Sequence, residues 1–136
     1  MINRKHYRVV AAVVCHQGRY LCMQKGKTRF PYTTYKFEFP GGKIEPGETP
    51  QEALRRELME EMDFPVEVGQ ELVAVDHDYP DFSITLRAFL CSCNSPQFVM
   101  NEHVAYRWLD CDTLATLDWA AADVGIVEAV QKLEVG

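Results

Sequence analysis

The apolar positions of this chain fall first into two β-branched runs. Both lie in "YRVVAAVVCHQGRYLCMQ", Tyr7 to Gln24, on either side of His16-Gln17-Gly18. So short a break with a glycine in it predicts a β-hairpin. Thr28 to Tyr35 interrupts the pattern with Pro31 and several threonines and reads as a loop. "KFEFP", Lys36 to Pro40, predicts a short strand that enters a glycine turn at Gly41-Gly42. Val66 to Pro80 and Ser83 to Cys93 read as strands around a Tyr-Pro-Asp turn. In the second of them Ile84, Leu86, Ala88 and Leu90 alternate onto one face. Ala105 to Asp110 reads as a further strand.

Helical spacing appears twice. Thr49 suits an N-cap, Pro50 the first helical position, and Glu52 completes a capping box with Thr49. Leu54, Leu58 and Met62 then form an apolar stripe, so this helix should run to about Met62. Asp123 to Glu134 repeats the pattern, with Ile126, Val127, Val130 and Leu133 on one side. Strands and helices mix without regular βα alternation. That predicts an α/β (α+β) sandwich, a mixed sheet with helices packed on it. No repeat or long linker divides the chain, so residues 1–136 read as a single domain.

Charge and cysteine content narrow the partners. A formal net charge of −6 argues against a nucleic-acid polymer, whose binding calls for a basic face. It leaves a single nucleotide open, because metal ions can neutralise the phosphates. No apolar run is long enough for a membrane span, and Met1 to Arg8 lacks the apolar core of a signal peptide, so a cytoplasmic protein with no membrane contact is expected. The five cysteines are odd in number and none stand in a CxxC pair, which fits reduced thiols rather than zinc ligands.

The first helix carries the unusual chemistry. On a wheel of roughly 100° per residue, Glu60 and Glu61 flank Glu57 on one face, beside the apolar stripe. Like charges at this spacing repel. One reading is a solvated face relieved by Arg56; the other is a site for a divalent cation, with hard oxygen ligands suited to Mg²⁺ or Mn²⁺. Gly41 and Gly42 would let backbone approach a ligand closely, and Glu48, after the Pro46-Gly47 turn, adds another carboxylate. Glycines, spaced acids and a capped helix together favour the metal site.

These residues resemble the signature of the Nudix hydrolases, G-x5-E-x7-R-E-U-x-E-E-x-G-U, where U is bulky and aliphatic. Gly42 opens it, Glu48 follows, then Arg56-Glu57-Leu58, Glu60-Glu61 and Phe64, so the box spans residues 42–64. Asp63 replaces the usual glycine, and should take the left-handed conformation past the helix end at a cost of about 1 kcal/mol or less. "KFEFPGGKIEPGETPQEALRREL" is similar to the MutT subgroup, which includes 8-oxo-dGTP diphosphatases and CTP pyrophosphohydrolases.

The resemblance implies the Nudix fold, an α/β/α sandwich around a mixed sheet. It also implies Mg²⁺- or Mn²⁺-dependent hydrolysis of a nucleoside triphosphate to the monophosphate and pyrophosphate. CTP- or dCTP-type or oxidised nucleotides would be the substrates, as in nucleotide-pool sanitation. It matches Glu57, Glu60, Glu61 and the Gly41 carbonyl to metal ligands, with Glu57 also a general base. Arg56 matches an orienting residue, and Glu48 and Gly42 matches supporting ones. Glu102, before the "RWLD" strand, matches a further metal ligand or base; His103 beside it reads as a weaker candidate or simply polar loop. Lys43 and Lys25 fall where phosphates could be met. Asp123 falls where the base is read, or serves only as an N-cap; Phe39 could stack on the base or pack in the core. Tyr79 and Phe82 are rim contacts. Other nucleoside diphosphate derivatives, such as ADP-ribose or a dinucleotide, or non-hydrolytic nucleotide binding, are the alternatives. Monomer and homodimer both remain open.

Overall fold

A computed structural model of the protein describes residues 4–135. The hairpin forms as expected from β1 (Lys5–His16) and β2 (Arg19–Lys25). Gln17 and Gly18 both take positive φ at the turn, at 53° and 78°, which matches the right-handed twist of the flanking strands. β3 is only Phe37–Glu38, and β4 is Gly41–Lys43. The long pair β5 (Glu67–Asp78) and β6 (Phe82–Ser92) is antiparallel, and β7 (His103–Leu109) pairs with β2. β6 runs parallel to β1 along ten residues, so the sheet is mixed, in the order β3-β2-β1-β6-β5 with β4 on β1 and β7 on β2.

Alternation along β1 divides the core in two. Val10, Ala12 and Val14 point to helix α1 (Pro50–Met62), packing with Ala53, Leu54, Leu58 and Met62. Ala11 and Val13 point the other way, to helix α2 (Ala121–Val135), packing with Ala122, Ile126, Val127 and Val130. Period-2 strands between two apolar helix stripes thus give the α/β/α sandwich. All five cysteines are unbridged, and Cys22 and Cys91 are buried.

Four expectations change. Gly41-Gly42 is a strand rather than a turn, antiparallel to β1 with Val10 opposite Gly42 and Ala11 opposite Gly41. The reason is space: a Cβ on Gly41 would overlap the Val10 carbonyl and lie 3.0 Å from the Ala11 Cα. α2 begins at Ala121, so Asp123 lies in its first turn and is not the N-cap. Leu133, expected on the apolar side, is 48% exposed. His103 opens β7 and is not part of the loop. A 3₁₀ turn at Cys111–Thr116, capped by Asp110, had no strong local signal.

Candidate active site

Local rules aim the acidic helix. The Thr49 hydroxyl accepts from the Glu52 N–H at 3.1 Å, while the Glu52 carboxylate accepts from the Thr49 N–H at 2.8 Å. This capping box fixes where the helix starts. At the other end Asp63 takes φ 47° and ψ 44°, and its N–H donates to the Met59 carbonyl at 3.1 Å. Between the two ends, burial of Leu54, Leu58 and Met62 sets the helix rotation, so Glu57 and Glu61 share the adjacent face.

Arg56 binds this face together. Its Nε and Nη2 donate to the two oxygens of Glu48 at 2.6 and 2.9 Å. Its Nη1 donates to Glu57 at 2.9 Å and to Glu60 at 3.2 Å, and Nη2 also reaches the Lys43 carbonyl at 3.1 Å. A planar guanidinium is suited to such forked contacts. Hydrogen bonds from Arg56, then one from the Glu45 backbone, hold the Glu48 carboxyl down to about 2. Gly42 completes the fit, because a Cβ there would fall on the Glu57 carboxyl and 2.7 Å from its Cγ. The two glycines therefore admit strand β1 and a side chain of the acidic helix, and both also line the cleft beside it.

The helix opens on a cleft of about 1190 Å³. Gly41, Glu57, Glu61 and Glu102 are among the residues lining it. The Glu61 carboxyl is pushed up to about 8, first by burial, then by the neighbouring Glu57 and Glu102. Glu60 does not line the cleft; its side chain is 62% exposed and tied to Arg56. Lys43 and Lys25 both line it, with the Lys43 Nζ 4.3 Å from the Tyr7 ring centroid and the Lys25 Nζ 3.4 Å from Glu38.

Asp123 lines another part of the wall. Its Oδ2 accepts from the Phe39 N–H at 2.9 Å. No side-chain polar atom among the described residues is both sealed and unpartnered, so the other oxygen of Asp123 opens to the cleft. Burial, followed by the nearby Glu38 charge, raises its pKa. Phe39 lines the cleft but is 2% exposed and stacked on Trp119 at 4.7 Å, so of its two expected roles packing in the core is the one visible here. Tyr79 and Phe82 lie in the lining, their centroids 4.9 Å apart.

Glu38 was not among the expected site residues, and His103 only weakly. The His103 side chain is 6% exposed and its Nε2 lies 2.8 Å from a Glu38 oxygen. The two are 65 positions apart in sequence, so no local pattern connects them.

A mixed sheet between two helices, with an arginine-braced carboxylate helix facing a cleft, is the arrangement of a Nudix fold. Residues 5–130 match the NUDIX domain family, and the chain belongs to it. It is 39% identical over 92 residues to the 8-oxo-dGTP diphosphatase of Proteus vulgaris, covering 66% of this chain and 80% of that one. It is 30% identical over 129 residues to the CTP pyrophosphohydrolase of Escherichia coli K12, covering 95% and 94%. A MutT protein from Methanosarcina mazei superposes with a TM-score of 0.87 over 100% of both chains at 18% identity, a likeness of fold. The protein is accordingly an enzyme of the Nudix pyrophosphohydrolase type.

Nudix hydrolases generally use divalent metal ions. Glu57, Glu61 and Glu102 fit such an ion chemically: they are hard oxygen donors that line one cleft, where burial and then the neighbouring carboxylates raise the Glu61 pKa. Among the described residues no three His, Cys, Asp or Glu side chains already stand in a coordinating arrangement, so binding would draw these carboxylates around the cation. No helix among the described residues is long and apolar enough to cross a membrane.

Proposed function

We propose that the protein hydrolyses a nucleoside triphosphate to the monophosphate and pyrophosphate, with Mg²⁺ or Mn²⁺, on CTP- or dCTP-type or oxidised (8-oxo-dGTP) nucleotides. One observation carries this reading: Glu57, fixed by Arg56 and seated on Gly42, faces the same cleft as Glu61, Glu102 and the open oxygen of Asp123. The similarity to diphosphatases and pyrophosphohydrolases supports the reaction class.

Glu57, Glu61, Glu102 and the Gly41 carbonyl would hold the metal, with Glu60 able to join them only by leaving Arg56 and turning toward the cleft; the metal would neutralise phosphate charge and lower the pKa of an attacking water. Glu57 or Glu102 takes the water's proton, since both are carboxylates lining the cleft. Arg56 and, behind it, Glu48 keep Glu57 oriented. Lys43 and Lys25 stabilise charge on the phosphates. Asp123 reads the base edge with the oxygen that Phe39 leaves free. Because burial favours its neutral form, that oxygen can donate as well as accept a hydrogen bond. This widens the expected choice beyond an exocyclic amino group to a carbonyl or ring nitrogen.

A second reading is a longer nucleoside diphosphate derivative, for which a cleft of about 1190 Å³ also has room. One experiment separates the two: a panel of nucleoside triphosphates, ADP-ribose and dinucleotides with Mg²⁺, scored for products and kcat/KM. Pyrophosphate from a triphosphate supports the first reading; turnover confined to the diphosphate derivatives rejects it.

A further inference from the structure

Glu102 stands on a poorly fastened stretch. The segment from Cys93 to Glu102, between β6 and β7, has no regular structure. It is pinned midway, where the Val99 N–H donates to the Met62 carbonyl at 2.8 Å and Phe98 packs on Phe64 and Tyr106. Met100, Asn101 and Glu102 then run exposed to the start of β7. The next tether is His103, whose buried imidazole meets Glu38 on β3.

The local backbone is built for that tether. Pairing of β2 with β7 shifts register between Gln24 and Lys25, so Gln24 faces Ala105 while Lys25 faces His103. The intervening Val104 is the extra residue and is 55% exposed. A bulge of this kind redirects side chains beside it. Gly26 leaves room for it, since a Cβ there would meet Val104 Cγ1 at 3.2 Å. With Val104 turned out, His103 turns in to Glu38, which Lys25 also flanks at 3.4 Å.

We propose that the His103–Glu38 pair is a clamp that positions Glu102 against Glu61, and that His103 acts through Glu102 without touching substrate. This rests on Glu102 being a metal-side carboxylate, as read above. The clamp also leads on to Asp123: the residue after Glu38 is Phe39, whose N–H donates to the Asp123 carboxylate.

The test is a double-mutant cycle of His103→Ala and Glu102→Gln, read in two ways: Mn²⁺ affinity by EPR of the free ion, without nucleotide, and steady-state kinetics. His103→Ala should weaken Mn²⁺ binding about tenfold and lower kcat by a similar factor, as loss of a ligand-orienting contact does, with KM changed less than about twofold. His103→Gln, whose side-chain amide can still donate to Glu38, should recover both to within about threefold. On the Glu102→Gln background, His103→Ala should add nothing. Full additivity, unchanged Mn²⁺ affinity in His103→Ala, or a rise in KM at constant kcat would overturn the clamp. Should His103→Ala fail to fold, His103→Leu fills the buried space without a donor and serves in the same cycle. A coupled Mn²⁺ cycle with no triphosphate hydrolysis would keep the clamp and reject the proposed function; hydrolysis with an additive cycle would do the reverse.

Discussion

Replacing Gly42 with alanine tests how the box glycine works. The added Cβ would lie on the Glu57 carboxyl and 2.7 Å from its Cγ, where ordinary carbon contacts are about 3.5 Å or more. The side chain must therefore move by roughly 1 Å, and its bond to Arg56 at 2.9 Å breaks or bends. Displacement of a reacting group by about 1 Å can cost about 10²-fold in rate, near 2.7 kcal/mol of activation free energy. The fold should survive, because what moves is the end of a side chain beside an open cleft. Gly41→Ala is the contrast: its Cβ would overlap the Val10 carbonyl, part of the β1 backbone, so stability should fall by about 3 kcal/mol or more. The assay is kcat/KM for pyrophosphate release alongside thermal melting of both variants. Gly42→Ala with activity within about threefold of the parent would refute the reasoning, as would a loss explained wholly by unfolding.

The remaining predictions concern charge and helix termination. Millimolar Mg²⁺ should raise the melting temperature, because a bound cation offsets the burial and then the neighbouring carboxylates that push Glu61 up to about 8; a temperature unmoved by Mg²⁺ would count against a metal at this cluster. Asp123 has its folded pKa raised by burial, so the unfolded state gives up its proton first as pH rises. Its contribution to stability therefore declines from the ordinary carboxylate range up to the raised native value and is level above it. Asp123→Asn, still able to accept from the Phe39 N–H, should flatten that slope in urea titrations between pH 5 and 8 and change the preferred base; an unchanged slope would contradict the burial argument. Asp63→Gly should stabilise the protein by about 1 kcal/mol or less, because glycine takes the same left-handed conformation without a Cβ. Its kcat should not change.

Local chemistry made much of this protein legible. The capping box at Thr49 and Glu52, the buried stripe of α1 and the left-handed Asp63 all follow from residues within a turn or two of each other. So does the alternation of β6. What escaped was set by distance. The glycines read as a turn because glycine signals turns locally, and only the presence of β1 and Glu57 beside them shows a strand that admits no Cβ. Glu38 carried no signal, since its partners Lys25 and His103 come from other strands. Asp123 was expected near the start of its helix, but its bond to Phe39 spans 84 positions and needs the folded sheet. The place of Phe39 in the core depends on stacking with Trp119, 80 positions away, which local pattern does not show.

The central claim is that Glu57, held by Arg56 over Gly42, serves metal-dependent cleavage that releases pyrophosphate. Its most direct measurement is product analysis of CTP, dCTP and 8-oxo-dGTP hydrolysis with Mg²⁺, for the parent and for Glu57→Gln. The account predicts monophosphate and pyrophosphate from at least one of these, with kcat reduced by several orders of magnitude in a folded Glu57→Gln variant. Orthophosphate in place of pyrophosphate, or undiminished turnover by Glu57→Gln, would contradict it.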